Sequence, residues 1–133
     1  MYFRSLAFRI GSGCEGYWMR RIFGAIAWML ASAILVLSIV PPSYRPETAA
    51  PHDGEHFAIY LATGIAFAIG YRDRLPIVTM GLLLFCGLIE ISQLWVPGRH
   101  ARLSDFLIDT AAACVGVGVT VVAEKWVLRR KFG

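Results

Sequence analysis

The sequence has few charged residues and few cysteines, and both shortages restrict what the protein can be. Only 17% of the 133 residues are charged, whereas 57% are hydrophobic and the mean hydropathy is +0.60. A soluble domain of this length could not bury so much apolar surface. The three cysteines are odd in number and far apart, and no His-Glu-x-x-His motif occurs. We therefore expect no disulfide, no metal and no other cofactor.

The basic excess does not indicate a nucleic-acid partner, although the formal net charge is +4. Lys and Arg lie in short clusters between apolar runs and do not line one face. Clusters of this kind set the topology of membrane proteins. We therefore expect membrane lipid, and no nucleic acid, as the partner.

Long apolar runs define the fold class. About 20 apolar residues in a helix cross a hydrocarbon core of roughly 30 Å. The sequence predicts an all-α, integral membrane four-helix bundle. The predicted spans are residues 22–40, 55–71, 75–96 and 103–128.

The ends of these spans carry ordinary stop signals. Pro41 and Pro42 end the first span, and Pro97 with Gly98 ends the third, because proline cannot continue a helix and glycine permits a turn. A cleaved signal peptide is the alternative for the first span, but its apolar region would be only about 7–15 residues long. We expect an uncleaved span, preceded by a flexible tail over residues 1–19 and followed at the far end by a basic tail over 129–133. The membrane domain is then 20–128.

The positions of Lys and Arg predict the orientation. Ten of them fall in the N-terminal tail, in the turn between the second and third spans, or at the C-terminus, against three in the other two loops. The positive-inside rule places the ten in the cytoplasm. We therefore expect a multi-pass protein of the cytoplasmic (inner) membrane with both termini inside.

Polar residues inside the spans gather near one side of the membrane. Glu90 and Gln93 share a face at i, i+3, and Asp105 and Asp109 share one at i, i+4. At about 1.5 Å per residue, Glu90 and Asp109 both lie roughly 9 Å below the outer interface. His56 begins the second span with Tyr60 one turn deeper. Ionisable groups at this depth usually face the bundle interior, so we expect one cluster, in which His56 bonds to Glu90 or to Asp109.

Small residues continue below this cluster on the same helix faces. They let transmembrane helices approach closely, so tight packing is expected at Gly64, Gly87, Ala112 and Gly116.

These motifs resemble the VanZ-like family over residues 20–128. The pattern is Asp53-Gly54-Glu55-His56, then Glu90-Ile91-Ser92-Gln93, then Pro97-Gly98-Arg99 followed by Ser104-Asp105 and Asp109. Gly54 stands where the family usually has Lys, Asp109 where it has Asn, and Ala112 where it has Gly. The family's namesake is associated with resistance to the glycopeptide teicoplanin, which implies a role in the cell envelope.

The sequence and this resemblance suggest an outward-facing pocket for the polar head of an envelope amphiphile, either a lipid-linked glycan precursor or a phospholipid. The rival hypothesis is a non-catalytic scaffold in which buried charges fix helix packing. Ion or proton conduction is disfavoured because the inner half of the bundle has no matching chain of polar groups.

Some of the polar residues also have simpler explanations. Asp53 and Asp105 could instead cap helices, and the arginines could be interfacial charges. The catalytic candidates are His56, Glu90 and Asp109, and the binding candidates are Asp53, Gln93, Arg99, Arg102, Ser104 and Asp105.

Overall fold

The computed structural model describes residues 14–40, 52–96 and 102–132. Over these residues the chain forms four long α-helices and a 3₁₀ turn at Arg72–Arg74, with no strand. The predicted all-α class is confirmed. The helices are α1 (Cys14–Ile39), α2 (His52–Gly70), α3 (Leu75–Gln93) and α4 (Leu103–Phe132).

Three segments are long and apolar enough to cross a membrane, namely Gly16–Ile39, Arg72–Gln93 and Leu103–Arg130. Large apolar side chains such as Ile77 and Val122 are exposed on the helix surfaces, where acyl chains would cover them. The helix α2 has 19 residues, which is about 28 Å at 1.5 Å per residue and close to the thickness of a hydrocarbon core. The protein is therefore a multi-pass membrane protein.

Two helix ends extend beyond their expected limits. The helix α1 begins at Cys14, so residues 14–19, expected in a flexible tail, are helical. Gly16 does not prevent this, because a glycine in a helix interior costs only about 1 kcal/mol. One turn of this extension is stabilised by Arg21, which donates to the Tyr17 hydroxyl at 3.2 Å. The helix α4 continues to Phe132, through most of the expected basic tail, and the Arg130 guanidinium lies 3.8 Å from the centre of the Trp126 ring.

The packing is centred on α2, which contacts α1 on one side and α4 on the other, while α3 packs mainly on α4. Backbones meet directly between α2 and α4. A Cβ added at Gly116 would overlap the Leu61 carbonyl oxygen and lie 2.9 Å from the Ile65 nitrogen. A Cβ at Gly64 would likewise overlap the carbonyl oxygen of Ala113. Tight packing below the polar cluster is thus confirmed for this helix pair.

Gly87 differs from this pattern. A Cβ there would lie 3.8 Å from the Phe106 ring, which is an ordinary contact distance. Here a side chain of α4, and not its backbone, faces the glycine of α3, so the helices are farther apart. The expectation of a close approach at Gly87 was wrong.

The two ends of the molecule differ in charge. At one end, where α1 begins and α2 ends, Arg20 pairs with Asp73 and Arg72 pairs with Glu124 at 2.8 Å. These ion pairs join α1 and α4 to the 3₁₀ turn. We call this end, with residues 14–28, 70–75 and 124–132, the basic end. The opposite end, where α2 and α4 begin and α3 finishes, is the polar end.

Candidate functional site

An imidazole–carboxylate pair joins α2 to α4 at the polar end. His56 Nδ1 lies 3.1 Å from Asp109 Oδ1 and 3.4 Å from Oδ2. The side chain of Asp109 is 2% exposed and that of His56 is 16% exposed. A carboxylate this deeply buried needs a hydrogen-bond or charge partner, and His56 supplies it. The contact also fixes the orientation of the imidazole ring.

Tyr60 forms the wall of the site below His56. The two rings stack with centroids 6.3 Å apart and an interplanar angle of 26°, and Tyr60 is only 1% exposed. Its hydroxyl is buried and makes no hydrogen bond of good geometry within the described part of the chain, although the Asp109 carboxylate lies within electrostatic range. Tyr60 was absent from the predicted site residues, yet its i+4 spacing from His56 was the signal that places it here.

Glu90 holds the first turn of α4. Its Oε1 accepts a hydrogen bond from the backbone N–H of Arg102, and Glu90 as a whole is only 8% exposed. The Arg102 carbonyl in turn accepts from the N–H of Asp105 at 3.0 Å and of Phe106 at 3.3 Å. The first N–H groups of a helix lack partners within the helix and favour a negative charge. Glu90 therefore satisfies one donor beside the start of α4, and the Arg102 side chain remains exposed.

The rim of the site is formed by the start of α4. Ser104 Oγ donates to Asp105 Oδ1 at 3.0 Å, and Asp105 is half-buried. Gln93, near the end of α3, is 5% exposed and lies one helical turn from Glu90. Gln93 and Ser104 thus add an amide and a hydroxyl group to the polar end.

Negative charge is concentrated in this site. The carboxylates of Asp105 and Asp109 and the imidazole of His56 all act electrostatically on Glu90. Close carboxylates repel one another unless cations or hydrogen-bond donors compensate their charge. The arrangement is therefore suited to accept protons, to bind hydrogen-bond donors, or to bind a ligand that brings positive charge.

The structure brings most of the predicted residues to the polar end: His56, Glu90, Gln93, Arg102, Ser104, Asp105 and Asp109. Arg99 and the side chain of Asp53 lie outside the described residues. Across residues 14–40, 52–96 and 102–132, no three His, Cys, Asp or Glu side chains are grouped so that they could hold a metal ion.

A cavity of about 600 Å³ lies at the basic end, away from this cluster. Its walls include Arg20, Arg21, Trp28 and Tyr71, of which the sequence analysis considered only the two arginines, as topological charges. The signal that could have found it is the helical spacing of Tyr17, Arg21 and Trp28 on α1.

Comparison with known proteins gives one family. The model of the VanZ/LLP1 family matches residues 15–124, which includes the polar cluster and most of each of the four helices. No curated protein matches the chain, and no solved structure does.

Proposed function

This chain belongs to the VanZ/LLP1 family of membrane proteins, and we propose that its polar end binds the head group of an amphiphilic molecule of the cell envelope. The observation that carries the proposal is the buried pair of His56 and Asp109 beside the carboxylate of Glu90. These groups lie at one end of the helices, where the head group of a lipid could reach them while its tails stay in the bilayer. We propose that this end faces outward.

The charges suggest how such a head group would be arranged. Arg102 is exposed at the rim, and Arg99 precedes it by three residues; arginine binds phosphate or carboxylate through paired hydrogen bonds. The deeper carboxylates repel anions and accept hydrogen bonds from hydroxyl or amino groups. A head group with phosphate at the rim and hydroxyl groups below fits both requirements. We therefore favour a lipid-linked glycan over a simple phospholipid.

The same geometry suits acid–base chemistry on the bound head group. Asp109 holds Nδ1 of His56 and orients the ring, an arrangement in which Nε2 exchanges the proton with a substrate. Glu90 would supply a second proton-transfer group. A contribution to glycopeptide tolerance would follow from binding a cell-wall precursor and needs no separate site.

Thermal unfolding of the purified protein in detergent tests head-group binding, with polyprenyl phosphate as the probe and the uncharged polyprenol as its matched control. At a hundredfold excess over Kd, bound ligand stabilises the folded state by about 2.7 kcal/mol. We expect polyprenyl phosphate to stabilise wild type, Arg102→Gln to weaken this effect, and Arg130→Gln, at the basic end, to retain it. Equal stabilisation by polyprenol, or by polyprenyl phosphate in Arg102→Gln, would contradict the proposal.

A structural role is the second candidate, and two contacts favour it. Glu90 accepts from the backbone of Arg102, and the pair of His56 and Asp109 joins two helices. The variant Glu90→Gln separates the hypotheses because glutamine keeps an acceptor oxygen but loses the charge. Under the binding proposal it melts like wild type and polyprenyl phosphate stabilises it at least as strongly, because the probe lacks the hydroxyl groups that Glu90 would bind and the lost charge no longer repels its phosphate. Under the structural hypothesis it melts at a lower temperature, and the probe stabilises neither protein. Glu124→Gln, which removes an acid from the basic end, is the matched control.

A further inference from the structure

The cavity at the basic end lies between α1 and the end of α2. Its volume is about 600 Å³, and residues from Tyr17 to Trp28 of α1 face Gly70 and Tyr71 across it. It is half-open, and Trp28 on its wall is 60% exposed. The cavity is at the opposite end of the helices from His56 and Asp109, so nothing proposed for the polar end accounts for it.

Contacts between the helices hold the walls of this cavity. A Cβ added at Gly70 would lie 2.8 Å from the Gly24 nitrogen, so the two backbones touch at its base. Trp28 Nε1 donates to the Tyr71 hydroxyl at 2.9 Å. On the rim, Arg20 pairs with Asp73. The cavity is therefore a built part of the fold.

Arg21 gives the cavity a positive charge. Its guanidinium lies 5.5 Å from the centre of the Tyr17 ring and donates to the Tyr17 hydroxyl at 3.2 Å. Unlike Arg20, it has no carboxylate partner among the described side chains, which are those of residues 16–40, 54–96 and 102–130. A cation that is positioned by an aromatic ring and has no acidic partner is suited to bind an anion.

The depth of the Arg21 charge in the membrane indicates which kind of anion it binds. Arg21 immediately precedes Ile22, where the long apolar run of α1 begins, in a helix that is long and apolar enough to cross a membrane. This is the level of the boundary between head groups and acyl chains, where arginine and tryptophan side chains commonly lie. A soluble anion would have to enter this layer, whereas the phosphate of a lipid is already there. The exposed ring of Trp28 offers an apolar surface for the acyl chains.

We propose that this cavity binds the phosphate-bearing head group of an acidic phospholipid from the leaflet at the basic end. Arg21 contacts the phosphate, and the Tyr17 hydroxyl holds the guanidinium in place. Trp28 lies against the first part of the acyl chains.

Quenching of Trp28 fluorescence by brominated lipids tests this directly. Trp18, Trp95 and Trp126 are replaced by phenylalanine, and the full chain is reconstituted into vesicles of phosphatidylcholine mixed with dibrominated phosphatidylglycerol, or with dibrominated phosphatidylcholine. We expect Trp28 to be quenched preferentially by phosphatidylglycerol. One basic residue near a membrane surface contributes about 1 kcal/mol to the attraction of acidic lipid, so Arg21→Gln should lower the preference roughly fivefold.

Two further variants keep the test independent of folding. Arg74→Gln removes the same charge from the basic end at an exposed position outside the cavity wall, and it should keep the wild-type preference. Ala25→Phe fills the cavity from an exposed position on its wall without changing any charge, and it should lose the preference. Circular dichroism verifies the helical content of each variant.

Three results would overturn the proposal. The first is an unchanged preference in both Arg21→Gln and Ala25→Phe. The second is an equal loss in Arg74→Gln, which would show a general effect of surface charge. The third concerns a soluble anion: if inorganic phosphate abolishes the preference and sodium chloride of equal ionic strength does not, the cavity binds free phosphate.

Discussion

At the scale of single residues, Asp105 and Asp109 show how two acids on one helix face come to have different environments. They are one turn apart on α4, yet Asp105 is half-buried near the helix start and accepts from Ser104. Asp109 is 1% exposed and bonds to His56 of another helix. Asp105 can keep water or lipid head groups as partners, whereas Asp109 depends on the protein. Substitution should therefore affect the two residues very differently.

We predict that Asp109→Ala lowers the free energy of unfolding by about 1–3 kcal/mol, because it removes a buried hydrogen bond between two helices. The matched substitution Asp105→Ala removes a surface contact and a favourable charge in the first turn of α4, and should cost no more than about 1 kcal/mol. Unfolding in mixed micelles of a mild detergent and dodecyl sulfate measures both values. Equal costs at the two positions would contradict the assignment of Asp109 as the buried partner.

The pair itself can be isolated by a double-mutant cycle. We predict that the costs of His56→Ala and Asp109→Ala are not additive, with a coupling free energy of about 1–3 kcal/mol, since each single change already removes the same contact. The cycle of His56→Ala with Glu124→Ala, at the basic end, serves as the control and should be additive within about 0.5 kcal/mol. Additivity in both cycles would show that the hydrogen bond contributes nothing to stability.

Helical spacing predicted which of these residues lie at one depth, but it could not predict their partners. The choice between Glu90 and Asp109 as the partner of His56 depends on the rotation of each helix about its axis and on side-chain rotamers. Glu90 instead bonds to a backbone N–H beside the start of α4, a group that carries no signal in the sequence. The position of Tyr60 under His56 follows from i, i+4 spacing alone and could have been predicted.

At the scale of the helices, the contact of α2 with α4 depends on positions that lack a side chain. Gly64 and Gly116 each face backbone atoms of the other helix. In lipid, helices associate through close packing and not through the hydrophobic effect. The same contact aligns His56 with Asp109 farther along the pair, so loosening it should also disturb the site.

We predict that Gly116→Ala destabilises the protein by about 1–3 kcal/mol, because the new methyl group would overlap the Leu61 carbonyl and force the helices apart. Gly118 lies two residues along the same helix with nothing within 4 Å of an added Cβ. Gly118→Ala should therefore be neutral or stabilising by up to about 1 kcal/mol, as expected from helix propensity. The unfolding assay in mixed micelles compares the two variants, and equal effects would show that α2 and α4 are not in close contact at Gly116.

The sequence predicted the number and order of the helices better than their ends. Apolar runs and prolines limit the membrane-crossing part of a helix, but a helix can continue beyond the bilayer wherever local contacts support it. Such contacts occur one turn apart, from Tyr17 to Arg21 and from Trp126 to Arg130. Both contacts join residues at i, i+4 spacing in the sequence, but a hydropathy profile does not include contacts between pairs of side chains.

At the scale of the whole molecule, the two ends have separate chemistry. The ion pairs of Arg20 with Asp73 and of Arg72 with Glu124 lie at the basic end, whereas the buried acids and His56 lie at the polar end. The sequence predicted this polarity because charge counting needs only the order of the spans. The spacing of residues on α1 could indicate one wall of the cavity, but the sequence could not predict that α2 closes it, because this depends on the contact of Gly24 with Gly70 across two helices.

The orientation of these ends decides what the polar cluster can meet, and labelling of introduced cysteines with a membrane-impermeant maleimide determines it. Cys14, Cys86 and Cys114 are first replaced by alanine, and single cysteines are introduced at His100, between α3 and α4, and at Gly133. We predict that His100→Cys is labelled in intact spheroplasts and that Gly133→Cys is labelled only after permeabilisation, because Lys and Arg are retained on the cytoplasmic side. The opposite pattern would place the polar end in the cytoplasm. An outward-facing envelope molecule could then not reach His56 and Asp109, and the acidic lipid proposed for the basic end would have to come from the outer leaflet. This one measurement therefore tests the side on which each proposed ligand must be sought.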